Sequence, residues 1–361
     1  MAYYGKELGL LEKAQFLLEL TRRRSREGHL TTTSQLAQMC WLKARRGIGP
    51  GYYHVAGLWR RDIPWAHKDG HLGSSEYGRR LAAINPHNYR KLSQSKIAEK
   101  AILQAFGVAT PRFLGFFHPL RGRSASGTPL TSVAELARLL EAVQLPRVCF
   151  KPVEGWGGMG FHAVDVRPGC GRPTVAPVFG SGWTGLEEYV EKVLLVSGSE
   201  GWVLEEYLEQ HERMRAFNWT SVNTMRIWVF RGGEGAPFLL GGYLRIGRRG
   251  SLVDNQTSGG LVAKIDPATG TLGPATNGYV DRPWYAVHPD HAAPIEGETV
   301  PCWSEATSLA ISTLMLFPNI RFAGFDIAVS SRSPVVIELN PSPDLLGQAL
   351  MEIPLRPILL A

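Results

Sequence analysis

The sequence predicts an α+β protein whose C-terminal half is built on a largely antiparallel sheet. Three observations carry this. Helix-period segments dominate the first part of the 361-residue chain. A short apolar strand, RVCFKPVE, then runs into the glycine-rich turn GWGGMG, and after residue 200 the signals are mostly short strand-like runs between turns. Hydrophobic residues at 44% and charged residues at 20% exclude a largely disordered chain. The length suits about two or three structural units. No apolar run approaches the roughly 18–20 residues of a membrane span. The N-terminal apolar stretch precedes its basic one, the reverse of a signal peptide. Cys40, Cys149, Cys170 and Cys302 lack CxxC spacing, so neither a disulfide framework nor a zinc cluster is expected, and a reducing cytoplasm is.

Residues 1–95 read as a helical, aromatic-flecked region. Leu8, Leu10, Leu11, Phe16, Leu17 and Leu18 suit an amphipathic helix, and Arg22, Arg23, Arg24 and Arg26 suit its solvated basic end, favourable to the helix dipole. His67 and His71 stand i,i+4, but Gly70 breaks the helix and no further ligand adjoins, so a metal is not expected there. The aromatics Tyr3, Tyr4, Trp41, Tyr52, Tyr53, Trp59 and Trp65 suit either a homodimer interface or a local core. A second unit, 96–205, starts with the helix SQSKIAEKAILQAFGV, ended by Gly107, and the strand TPRFLGFF. The helix SVAELARLLEAVQ follows, with Ser132 and Glu135 as a capping box. The third unit, 206–361, follows the strand WVLEEYL. It holds the pair NTMRIWVFR and PFLLGGYLRIG, the hairpin LVAKIDPATGTLG, the core helix WSEATSLAISTLMLF, and a last pair, RFAGFDIAVS and SPVVIELNP.

That last pair carries the strongest chemical signal. Glu338 and Asn340 are two apart, so they share one face of a strand, and a hairpin brings Asp326 beside them. Three hard oxygen donors among Val335, Val336, Ile337 and Leu339 suit Mg2+, because buried carboxylates need a cation. Gly155, Gly157 and Gly160 match G-x-G-x-x-G, with Gly158 between them. The following FHAVDV reads as a strand, which excludes a dinucleotide fold, and no Gly-Lys-Ser/Thr follows for a P-loop. A protein kinase is excluded too, since no HRD or DFG occurs and Lys151 precedes the glycines. A lysine at the base of a glycine loop between strands can close N–H groups over phosphates. Glu205 and Glu206 can meet an adenine edge, and Arg226 and Arg245 can stabilise charge in phosphoryl transfer.

In order, Lys96, Lys151-Pro152, the glycine loop, EEYL, N-T-x-R, R-x-G, D-N…G-G and Asp326…Glu338-x-Asn340 resemble the ATP-grasp superfamily. KPVEGWGGMG, Gln210-His211, SVNTMRIWVF and LRIGRRGSLVDNQTSGG resemble more narrowly the sugar-transfer associated ATP-grasp family, near the ribosomal-protein glutamate ligases. The likeness spans roughly residues 45–345. It implies two α+β lobes with mainly antiparallel sheets clamping ATP. It also implies Lys96 and Lys151 on the ATP phosphates under Gly155, Gly157, Gly158 and Gly160, with Glu205, Tyr207 and Leu208 on adenine and Glu212 on ribose. Asp326, Glu338 and Asn340 would hold Mg2+, Arg245 would face the acyl phosphate with Asn255, Gly259 and Gly260 nearby on the substrate, and Arg226 would contact an anion. Ser95 stands where many relatives have Asp before the first lysine.

The expected activity is an ATP- and Mg2+-dependent carboxylate–amine ligase working through an acyl phosphate, on a small metabolite or saccharide-linked substrate. The alternatives are a kinase on the same fold, phosphorylating a hydroxyl, and a nucleotide-binding module without turnover. No helix-turn-helix, zinc or RNA-recognition motif supports nucleic acid as a partner.

Overall fold

A computed structural model describes residues 8–155, 157–169, 172–196 and 200–359; Tyr3, Tyr4 and Cys170 lie outside them. Helix α1 (Leu10–Arg26) starts within the expected segment but packs differently from the expectation. Its buried residues are Leu20, Thr21 and Arg24, while Leu10 and Leu11 project into water. The basic run is thus partly structural: Arg24 lies over the Trp59 ring and donates to Asp281 O at 2.6 Å. Thr31 caps helix α2 (Thr32–Arg46), and Leu20, Met39, Leu42, Tyr52, Tyr53 and Trp59 form the core of this helical region. His71 is fully buried against Tyr52 Oη at 2.8 Å, and burial pushes it down to about 3.

Helix α3 (Ser74–Ile84) leads to helix α4 (Lys96–Ala105), where Ser95 accepts from Ala98 N. The chain leaves α4 through left-handed Gly107. A seven-stranded sheet follows. It holds β1 (Phe113–Phe117), β2 (Arg123–Ser124), β3 (Arg147–Pro152), β4 (His162–Arg167), β5 (Thr174–Pro177), β6 (Thr184–Gly185) and β7 (Trp202–Glu206). The order is β2-β1-β7-β3-β4-β5-β6, every pair antiparallel. Helix α5 (Val133–Val143) carries the expected Ser132–Glu135 capping box. It packs Leu136, Ala137 and Leu140 on Val148, Phe150, Val164 and Leu204. The alternate residues Cys149, Lys151 and Glu205 therefore face the other way.

The second sheet has the order β11-β10-β9-β8-β12-β13. Its strands are β8 (Thr224–Phe230), β9 (Phe238–Ile246), β10 (Leu261–Ile265), β11 (Leu272–Thr276), β12 (Phe322–Val329) and β13 (Pro334–Asn340). One face is apolar: Met225, Ile227, Leu244, Phe325, Ile327 and Leu339 pack under helix α6 (Trp303–Leu314). Leu103 of α4 joins this core, so α4 bridges both sheets. Along the opposite face, one end is covered by α3, helix α7 (Leu346–Met351) and the residues after it. Trp228, Phe230, Tyr243 and Phe322 meet Tyr77, Leu81, Ile84, Leu350 and Leu355 there. Asn85, fully buried, ties this layer to the sheet, donating to Phe322 O at 2.6 Å and Pro341 O at 2.7 Å. The other end of that face stays open to the cavity between the sheets. Among the described residues no helix is long and apolar enough to cross a membrane. Cys40, Cys149 and Cys302 are free thiols.

Candidate active site

Strand registry builds the floor of the cavity. Glu338 pairs with Asp326, Asp326 with Arg226, and Arg226 with Tyr243, so four side chains form one row across the sheet. On the same face, Asn340 lies two residues to one side of this row, and the pair Thr224 and Arg245 two residues to the other. The row is charge-matched. Arg226 grips Asp326 with two hydrogen bonds, from Nε to Oδ1 and from the terminal nitrogen to Oδ2. Arg245 donates to the same carboxylate at 2.7 Å and to Asp254 at 2.7 Å. Asp254 in turn accepts from Thr224 N at 2.9 Å and Thr224 Oγ1 at 2.5 Å. Burial disfavours the charged form of Asp326, but Arg226 and Arg245 outweigh it and hold its carboxyl at about 2. Glu338, across the strand pair, moves the other way: burial and then Asp326 push its carboxyl up.

The roof is cationic. Lys151 Nζ lies 2.5 Å and Lys100 Nζ 2.8 Å from the two oxygens of Glu205. Lys96, one turn before Lys100, donates to Gly155 O at 3.1 Å and so ties α4 to the glycine loop. Burial lowers Lys96 and Lys100; burial opposes Lys151 as well, but Glu205 prevails and raises it. Despite burial, Glu205 stays below the usual carboxylate range because of the two lysines. Glu99 of α4 accepts from Leu339 N at 2.6 Å, between Glu338 and Asn340, and burial with Glu338 nearby pushes its carboxyl well up.

The cavity holds about 380 Å³ and brings together most of the residues expected from sequence. Lys96, Lys151, Gly155, Gly157, Gly158, Glu205, Tyr207, Leu208, Arg226, Arg245, Asn255, Asp326, Glu338 and Asn340 all line it. Gly160, Glu212, Gly259 and Gly260 are not among its lining residues. Gly160 packs on Pro152, and Glu212 is exposed at the first turn of the Glu212–Phe217 helix. Gly259, at φ 85°, ends the Gln256–Ser258 turn, and Gly260 lies so close to Asp254 O that a Cβ would sit 2.4 Å from it. The Glu205 carboxylate is turned to Lys100 and Lys151. Sequence reasoning missed Lys100, Glu99 and Asp254. The i,i+4 spacing from Lys96 is the sequence signal for Lys100, while Asp254 stands in the D-N…G-G motif with no local mark of its partner Arg245. Gly158, at φ 71°, lies against Val253 and Asn255, so the glycine loop rests on the loop after β9 and closes the cavity.

The donors suit a divalent cation bound with phosphate. Two carboxylates face each other across β12 and β13 beside an amide oxygen, all hard ligands, and burial followed by the facing Asp326 already raises the Glu338 carboxyl. Among the described residues no three His, Cys, Asp or Glu side chains form a complete metal cluster, so remaining positions would fall to phosphate and water. Asp326 is already engaged by two arginines, so a cation there competes with Arg226 and Arg245 for its oxygens.

A glycine loop over a cationic cavity, above paired acidic strands of a second antiparallel sheet, is the arrangement of the site. Residues 79–358 match the family described as sugar-transfer associated ATP-grasp, and the chain belongs to that family. No curated protein matches the chain in sequence. Among solved structures it is similar to biotin carboxylase from Campylobacter jejuni, at 13% identity over 75% of this chain and 45% of that one, with a TM-score of 0.45. It is also similar to D-alanyl-alanine synthetase A from Vibrio cholerae, at 11% identity over 72% and 59% of the two chains, TM-score 0.41. A third is N5-carboxyaminoimidazole synthetase from Staphylococcus aureus, at 12% identity over 70% and 45%, TM-score 0.36. The matches thus span 45–59% of those three chains.

Proposed function

We propose that the protein is an ATP- and Mg2+-dependent carboxylate–amine ligase acting on a small metabolite or a saccharide-linked substrate. The observation that carries this reading is the pairing of Asp326 with Glu338 in one cavity with Lys96, Lys100 and Lys151, with Arg245 bonded to Asp326. The 96–205 and 206–361 units would close on the nucleotide. Lys96 and Lys151 would take its phosphates, the loop from Gly155 to Gly158 would cover them, and the chain at Tyr207–Leu208 would border the base. Asp326, Glu338 and Asn340 would hold Mg2+, which when bound neutralises phosphate charge.

In the first half-reaction a substrate carboxylate oxygen attacks the γ-phosphorus, and the bond to the ADP oxygen breaks with its electron pair leaving on ADP. In the second, an amine attacks the acyl carbon, inorganic phosphate departs, and the amine's proton passes to solvent or phosphate. Arg245, fixed by Asp254 and Asp326, would stabilise the charge on the transferring group. No general base is required, because positioning and electrostatics carry the first step.

The test is a mass-spectrometric screen of carboxylates and amines with ATP and Mg2+. ADP together with a product equal to acid plus amine less water supports the ligase. A stable phosphoester formed without an amine replaces it with a kinase. Nucleotide binding with no turnover replaces both with a binding module.

A further inference from the structure

The charge of +7 is unevenly placed. Residues 1–95 hold 16 Lys+Arg against 7 Asp+Glu, whereas residues 96–361 hold 23 against 25. The surplus therefore belongs to the helical N-terminal unit and not to the cavity, whose cations are matched by carboxylates. On that unit the first turn of α1 projects beyond its packing, with Leu10 87% and Leu11 80% exposed. Helix α2 runs back along α1: Gln35 Nε2 donates to Thr21 O at 3.2 Å, and Phe16 and Leu20 cluster with Met39 and Leu42. This course sets exposed Trp41, Lys43 and Arg45 beside the leading turns of α1, and Trp41 meets exposed Trp65 edge-on at 5.1 Å. At the other end of the helix pair, Glu19, Arg22, Ser25, Arg26 and Thr32 border an open groove. Arg22, Arg26, Lys43 and Arg45 are exposed and make no ion pair among the described residues.

Exposed leucines, bordering tryptophans and unpaired cations on one helical unit match the chemistry of an acidic bilayer surface. Apolar side chains enter the acyl boundary, indole rings sit at the interface, and cations meet headgroup phosphates. A second copy of the chain fits worse, because two strongly basic surfaces would repel. Nucleic acid would use the cations and leave Leu10 and Leu11 in water. Since no described helix is long and apolar enough to span, the contact is peripheral.

We propose that α1 and α2 dock this protein on an anionic membrane surface, holding the cavity next to the bilayer. The surface is separate from the cavity, so its test does not depend on the reaction. The full chain is co-sedimented with vesicles of phosphatidylcholine alone or mixed equally with phosphatidylglycerol. Binding to the mixed vesicles only, weakened by salt, is expected. Leu10→Asp with Leu11→Asp abolishes it. Arg22→Gln with Arg26→Gln lowers partitioning about 25-fold, at about fivefold per cation. Both double variants keep the wild-type unfolding midpoint and ATP affinity. Equal binding to neutral vesicles, binding that survives both substitutions, or no binding to anionic vesicles overturns the proposal. So does stronger capture of duplex RNA than of anionic vesicles, or a dimer that the leucine variant dissociates.

Discussion

Replacing Glu205 by Gln strips a single carboxylate from between two buried ammonium groups. The side chains of Glu205, Lys100 and Lys151 are 3%, 5% and 15% exposed, at 2.8 and 2.5 Å. Removing one partner of such a buried arrangement costs about 3–5 kcal/mol, because the remaining charge is uncompensated. The protein has one escape, which is to deprotonate a lysine. Moving a lysine from its ordinary value near 10.4 down to about 7 costs about 1.4 kcal/mol per unit, close to 5 kcal/mol in all. The two routes converge on a loss of about 3–5 kcal/mol, a large share of the roughly 5–15 kcal/mol of a typical domain.

The pH dependence is diagnostic. In Glu205→Gln the folded state binds fewer protons than the unfolded one once a lysine is neutral, so its stability rises with pH toward about 9. In the wild type, Lys151 is raised by Glu205, so its contribution is full below the unfolded lysine value and fades only as pH climbs through the folded one. Urea unfolding of both proteins between about pH 7 and 9 measures this. A deficit under about 1 kcal/mol, or one that does not narrow with rising pH, refutes the buried-charge reasoning.

Asp254→Asn removes one of the two carboxylates that orient Arg245. It lowers the rate of ADP formation about 100-fold with little change in the KM for ATP, as steady-state kinetics would show. An unchanged kcat would remove Arg245 from the chemistry or Asp254 from its positioning. Gly158→Ala places a Cβ about 2.8 Å from Val253 in a left-handed backbone, and weakens ATP binding by about 5–30-fold in calorimetry, from about 1–2 kcal/mol of strain. Wild-type affinity in that variant would show that the closed loop is not part of the nucleotide site. Asn85→Ala leaves the backbone of Arg321, Phe322 and Pro341 without its partners and costs about 3 kcal/mol in denaturant unfolding. A loss below about 1 kcal/mol would mean that water or neighbours replace the amide.

Much of the architecture is written locally. The strands from Thr224 to Asn340 are marked by apolar runs between turns, and the two-residue period that sends Ile227 and Phe325 to the core turns Arg226 and Asp326 to the cavity. Ser132 and Glu135 announce a helix start whose partners lie within four residues. What stays hidden is set by distant contacts. Glu99 meets Leu339, and Asn85 meets Phe322 and Pro341, across some 240 residues of chain, with nothing local to mark the pairing. Glycine spacing gives no position relative to the cavity: Gly155, Gly157 and Gly158 line it, while Gly160, Gly259 and Gly260 pack on Pro152, Arg248 and Asp254 in the loops beside it. Likewise Leu10 and Leu11 suit an amphipathic helix, yet the region's core gathers around Leu20, Met39 and Leu42 instead.

In the proposed ligase Asp326 and Glu338 together hold the Mg2+ bound with ATP. The deciding variant is Glu338→Ala, with ADP release measured across a Mg2+ titration and unfolding followed in parallel. A folded protein whose Mg2+-dependent ADP formation is lost is expected. Turnover that responds to Mg2+ as in the wild type would contradict it.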